Sequence, residues 1–135
     1  MKEMTLAATL ENIPVVTAFI DEKLEALGCP MKAQMQIDMA IDELFGNIAR
    51  YAYAPDAGDV TVRFAFDEAA RTASVAFIDA GVPFDPLAQP EPDVTLSVEE
   101  REIGGLGIFV VRKTMDAVSY RREGNRNILT IQKRI

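Results

Sequence analysis

Ile103-Gly104-Gly105-Leu106-Gly107-Ile108-Phe109-Val110-Val111 places three glycines within four residues and then runs without a break into an apolar, helix-like segment. Glycines ahead of a helix let the backbone pass close to a ligand. The unpaired N–H groups of the first helical turn then face that ligand, an arrangement that suits a phosphate. Taken alone, the same stretch also reads as an ordinary turn followed by a core helix. The segments on either side weigh between the two.

Immediately upstream, Phe84–Glu102 shows little periodicity. Pro83, Pro86, Pro90 and Pro92 lie in or beside it, and five acidic residues follow Asp85. A long loop of this kind inside a compact domain reads as a functional lid, here one that leads into the glycines. Before the loop, Val60–Phe66 and Thr72–Ile78 alternate small or polar with large apolar residues, which predicts two strands joined by Asp67–Arg71. The second strand ends in Asp79-Ala80-Gly81. A carboxylate there, two residues before a glycine, can accept a hydrogen bond from a ligand amino group, although Asp-x-Gly is also a common turn.

Further upstream a helix is predicted from about Met31 to Ala52, with Ile37, Ile41, Leu44, Ile48 and Tyr51 forming one buried stripe. Glu43 and Asn47 stand one turn apart on a ledge beside that stripe, with Arg50 on the same flank. A carboxylate, an amide and a guanidinium there can reach one cleft, and the same pattern also fits a solvated helix face. At the start of the chain, Met4–Leu10 is strand-like. Asn12 can cap a helix that uses Pro14 in its first turn and keeps its period through Val15 or Val16, Phe19 or Ile20, Leu24 and Leu27 until Gly28. After the glycines, Ile108–Met115 reads as a helix, and Ala117–Arg122 with Asn127–Lys133 as a closing hairpin. The predicted order is β-α-α-β-β-lid-α-β-β. This is an α+β, two-layer α/β sandwich, with helices on one face of a mixed, mostly antiparallel sheet.

Composition narrows the chemistry. The 135 residues, 49% hydrophobic, predict one domain over 1–135. No apolar run approaches the length of a membrane span and the start is not signal-like, so a soluble, cytoplasmic protein with no membrane association is expected. Cys29 is the single cysteine and there is no histidine, which excludes a zinc site and a His-dependent triad. Acid–base work falls to carboxylates, Lys or Tyr. The net charge of -7 argues against direct nucleic-acid binding. That charge is uneven: residues 1–100 carry 6 basic against 18 acidic residues, and residues 101–135 carry 8 against 3. An anionic ligand or acidic partner meets its most favourable field at the C-terminal third, unless those basic residues merely sit on solvated strands.

In combination the three stretches form a pattern. Glu43-Leu44-Phe45-Gly46-Asn47-Ile48-Ala49-Arg50-Tyr51 resembles the N box of the GHKL ATPases (Bergerat ATP-binding fold), Asp79-Ala80-Gly81-Val82-Pro83-Phe84-Asp85 their first glycine box, and Gly104-Gly105-Leu106-Gly107-Ile108 the second. Gly124–Thr130 resembles the closing strand pair. The chain is most similar to the stand-alone branch that holds the anti-sigma-factor serine/threonine kinases.

This resemblance implies ATP and Mg²⁺ as cofactors and residues 84–103 as an ATP lid. Asn47 is implied as the Mg²⁺ ligand, Asp79 as acceptor from the adenine amino group, Gly81 as the opening for the base and Thr130 as support for the adenine end. Gly105 and Gly107, with the N-terminus of the helix they open, would hold the phosphates, and Gly104, Leu106 and Ile108 would belong to the same cofactor-binding stretch. Arg50 would be a phosphate-contacting cation, with Arg101 substituting for an arginine that relatives often carry before the second box. Glu43 would be the general base. Many relatives have His where Tyr51 stands. The implied function is an ATP-dependent serine protein kinase that phosphorylates a STAS-domain anti-anti-sigma factor and sequesters a sigma factor, working as a homodimer. The alternative is a non-catalytic, ATP-gated regulatory binding module of the same fold.

Overall fold

The computed structural model describes residues 1–88 and 105–135. Strand β1 (Lys2–Ala7) is followed by a 3-10 turn (Leu10–Asn12) and helix α1 (Ile13–Ala26). Helix α2 (Met31–Asn47) continues into a π-helical turn (Ile48–Ala52). Then come β2 (Asp59–Asp67), β3 (Thr72–Asp79), a 3-10 turn (Pro86–Ala88), α3 (Gly105–Thr114), β4 (Ala117–Glu123) and β5 (Arg126–Arg134). The strands form one sheet in the order β1-β2-β3-β5-β4. All four pairings are antiparallel, so the parallel component of a mixed sheet is absent among the described residues.

Strand alternation decides which face is covered. Val60, Val62 and Phe64 on β2, Ala73, Val75 and Phe77 on β3, and Leu129 and Ile131 on β5 all point into the core. On the other side of that core are Val16, Ile20 and Leu24 of α1, Ile37, Ile41, Leu44 and Phe45 of α2, and Ile108 and Val111 of α3. Each Val, Leu, Ile or Phe side chain so taken from water contributes about 1.5–3 kcal/mol, so the helices are held to one face. Most intervening residues, Thr61, Ala65, Ser74, Ala76 and Thr130 among them, are small or polar and only partly covered, Ile78 and Ile128 being the large apolar exceptions.

Local differences from the sequence reading have physical causes. The first strand stops at Ala7, whose carbonyl accepts from Asn12 Nδ2 at 2.8 Å. Asn12 stands at the N-cap position of α1 but makes no side-chain cap there, its amide being committed to the strand end. At the other end of α1, Gly28 takes φ +70° and the Cys29 N–H reaches back to Leu24 O at 3.0 Å, the left-handed stop expected of a glycine. The π turn matters more. Its wider i→i+5 winding retards the residues after Asn47, so Ala52 takes the core position and Tyr51 is 56% exposed, its ring 6.2 Å from that of Phe84.

The two long helices also meet through acids. Asp21 Oδ1 on α1 and Asp38 Oδ1 on α2 are buried and have no donor among the described residues. Burial, the hydrogen bond shared with Asp21, the Asp21 charge and Glu25 push the Asp38 carboxyl up to about 7. One proton shared between the pair satisfies both oxygens. Between pH 3.8 and about 7 the folded chain keeps a proton that the unfolded chain has released, so this pair's contribution is lost as pH rises through that window. Asp38→Asn is therefore expected to melt above the parent at about pH 8 and to converge with it near about pH 4, as followed by circular dichroism.

Candidate nucleotide-binding site

The sheet register builds the site's floor. Asp79, the last residue of β3, lies opposite Asn127 of β5. Both occupy inward positions, in phase with Phe77 and Leu129, and are 4% and 5% exposed. Polar side chains that close to a core must be hydrogen-bonded. Asp79 Oδ1 accepts from the Gly81 N–H at 2.9 Å and from Asn127 Nδ2 at 2.9 Å. Asn127 Nδ2 also donates to Val82 O at 2.8 Å, and its Oδ1 accepts from the Tyr120 hydroxyl and from Arg122 Nη1 at 3.1 Å.

Above that floor is a narrow cleft with a cavity volume of about 20 Å³, open to solvent on one side. Asp79, Asn127, Leu129 and Tyr120 line it from the sheet, Leu44, Asn47, Ile48 and Ala52 from α2 and the π turn, and Phe84 and Pro86 from the loop after β3. The chemistry of this lining, apolar walls with a buried carboxylate at the base, suits the edge of a flat heterocycle carrying an N–H donor, for which the slot would have to widen. Tyr53 fastens this end of the sheet: its hydroxyl accepts from the Ala80 N–H at 2.8 Å and donates to Asp59 O at 2.6 Å. Burial, then the Asp79 and Asp59 charges, hold its phenol above the ordinary value, against the lowering by the Ala80 bond.

Asn47 links this cleft to a second one between α2 and α3, which Asp42, Glu43, Gly107, Val110, Val111 and Thr114 line. Asn47 Nδ2 donates to Glu43 Oε1 at 3.2 Å. The amide is thereby oriented, and its Oδ1 meets no donor among the described residues, a hard oxygen left for a cation. The Glu43 carboxyl lies against the first turn of α3, where a Cβ on Gly107 would overlap it. Only glycine lets the carboxylate and the helix start come together. This second cleft is acidic, Asp38 and Asp42 lining it beside Glu43, and Asn47 stands at its border through the bond to Glu43.

A model of the histidine kinase-like ATPase domain matches residues 6–133. The chain belongs to the histidine kinase-like ATPase family. It is similar to the serine/threonine-protein kinase BtrW of Bordetella bronchiseptica, 26% identical over 100 residues that cover 74% of this chain and 70% of that one. It is similar also to the serine-protein kinase RsbW of Bacillus mycoides, 24% identical over 131 residues, 94% and 81% of the two chains. Among solved structures, the RsbU and RsbW domains of Rv1364c from Mycobacterium tuberculosis align over 99% of this chain with a TM-score of 0.68 at 17% identity. The chain spans 32% of that longer protein, and the likeness speaks for the fold. Membership of the histidine kinase-like ATPases makes ATP the expected ligand.

Of the residues singled out from sequence, Glu43, Asn47 and Gly107 come together on one side of α2, with Asp79 across the adjoining cleft. Gly105 opens α3. Arg101 and Gly104, and the lid beyond Ala88, lie outside the described residues, as do the side-chain surroundings of Leu106. Three expectations need correction. Gly81 opens no space for a base: a Cβ there would strike the Ala52 backbone, whose carbonyl accepts from Val82 N–H at 2.9 Å. Ile108, its side chain buried in the core, is not among them, since a backbone contact at the start of α3 stays open to it. Thr130 pairs with Ala76 and Ser119 on the uncovered sheet face, away from the cleft, because it is out of phase with Asn127 and Leu129. Arg50 lies over Gly46 beside Ile13, lining neither cleft, because the π turn rotates it off the Glu43 flank.

The sequence reading missed Asn127, Tyr120 and Arg122. Asn127 had a legible signal, an amide standing at a core phase of a strand whose alternation was already evident. The basic C-terminal third has structural uses: Arg122 Nη1 donates to Gly81 O at 2.8 Å, and Lys133 Nζ to Thr114 O at 2.6 Å at the end of α3.

Proposed function

We propose that this histidine kinase-like ATPase binds Mg-ATP and transfers its γ-phosphoryl group to a serine of a STAS-domain anti-anti-sigma partner, and that it sequesters a sigma factor as a cytoplasmic homodimer. One observation carries the catalytic part: the Glu43 carboxyl sits at the first turn of α3 and is hydrogen-bonded to Asn47. The kinase names of the similar proteins support it. Adenine would enter the apolar cleft with its amino group on Asp79.

The triphosphate would cross Asn47 toward Gly105 and Gly107, where the glycine-rich start of α3 presents backbone donors. Asn47 Oδ1 would hold Mg²⁺ together with phosphate oxygens. That mode suits a site where no cluster of three metal-binding side chains exists among the described residues. The ion supplies neutralisation of charge on the phosphates. Glu43 would take the proton from the serine hydroxyl as its oxygen bonds to the γ-phosphorus and the bond to ADP breaks.

The test is incubation of the protein and a STAS-domain partner with Mg-ATP, with the phosphoserine found by mass spectrometry. Stoichiometric ATP binding without transfer to any STAS protein would instead favour the ATP-gated binding module.

A further inference from the structure

We propose that Arg122, on edge strand β4 and outside the cleft lining, is a positioning residue for base recognition: acting through Asn127 and Gly81, it holds Asp79 so that one oxygen alone faces the ligand, and the site therefore selects purines with a 6-amino group. The proposal rests on the nucleotide reading above and concerns how this chain reads the base.

All four hydrogen-bonding positions of the Asn127 amide are filled. Its two N–H groups go to Asp79 Oδ1 and Val82 O, and its oxygen accepts from the Tyr120 hydroxyl and Arg122 Nη1. An amide can turn over if its neighbours accept either face. A tyrosine hydroxyl can, since it donates or accepts; a guanidinium only donates. The turned-over amide would aim an oxygen at the Asp79 carboxylate and at the Val82 carbonyl, so those two acceptors already set its orientation; Arg122 reinforces it at the oxygen end and ties that end to Gly81 O. The same Nη1 donates to Gly81 O, fixing the peptide whose neighbouring N–H also binds Asp79 Oδ1. With Oδ1 taken by two donors, Oδ2 is the oxygen that meets no donor among the described residues. A lone anionic acceptor in an apolar slot welcomes an exocyclic N–H and repels an exocyclic carbonyl.

Isothermal titration of ATP and ITP in Mg²⁺ buffer, on the parent chain and on Arg122→Met and Arg122→Lys, tests this. The parent is expected to prefer ATP by about tenfold or more. Arg122→Met should narrow that preference through weaker ATP binding with ITP little changed, since the bonds of Asn127 to Asp79, Val82 and Tyr120 remain, and Arg122→Lys, which keeps a donor, should recover much of it. A second readout needs no nucleotide: slow exchange of the Asn127 side-chain amide protons by NMR should be lost in Arg122→Met and kept in Arg122→Lys. If the parent binds ATP and Arg122→Met keeps both the ATP affinity and the preference, the positioning role is overturned while the nucleotide reading stands. If the parent binds neither nucleotide, both fall.

Discussion

Glu43→Gln is expected to abolish measurable phosphoryl transfer while leaving ATP binding within about twofold of the parent. General-base assistance contributes roughly 10²–10⁴ in rate, and glutamine keeps the size and the acceptor oxygen of glutamate but cannot take a proton. Its carbonyl can still accept from Asn47 Nδ2, and the contact with Gly107 needs only a planar group of the same shape. The adenine end of the cleft, built on Asp79 and Asn127, does not touch residue 43. Binding followed by calorimetry and transfer by radiolabelled ATP separate the two effects. Unaltered transfer by Glu43→Gln would remove the base assignment. Partner binding that needs ATP but is indifferent to Glu43→Gln, with no transfer by the parent, would identify a nucleotide-gated module in which binding energy alone shifts a population.

Asp79→Asn is expected to weaken ATP binding on the order of 10²-fold, read as a shift in calorimetric Kd. A hydrogen bond to a charged acceptor is worth about 1.5–3 kcal/mol, and the substituted side chain does more than lose charge. Asparagine would keep its oxygen toward the two donors that now fill Oδ1, Gly81 N–H and Asn127 Nδ2, and would turn its amide nitrogen to the ligand. Donor then meets donor at the base. The substitution should cost little in thermal stability, because the bonds that hold the loop after β3 are retained. Equal ATP affinity in parent and variant would place the base elsewhere.

Much of this arrangement was legible in the sequence. Periods of two and three to four residues gave each strand and helix its inward face, and the i, i+4 pair of Glu43 and Asn47 followed from helical geometry alone. The π turn was not legible, since nothing in Ile48-Ala49-Arg50-Tyr51-Ala52 distinguishes a wider turn from an α-helical one. Arg50 and Tyr51 were misplaced for that single reason. Thr130 failed differently. Its strand was read correctly, but the site requires the phase of Asn127 and Leu129, and a residue one step off phase faces the far side of the sheet. The joining of β3 to β5 is a long-range pairing across the intervening lid, helix and strand, and no local pattern announces it.

On the proposed reading of the site, that pairing makes base recognition a by-product of strand registry. A one-step slip of β5 against β3 would turn Asn127 outward and bring Ile128 and Thr130 into the core, so the hydrophobic penalty for misregistry and the loss of the Asp79–Asn127 bond fall on the same error. A chain that has folded with its core intact has thereby checked its own recognition end. Conversely, variants selected only for tight nucleotide binding would inherit a proofread sheet.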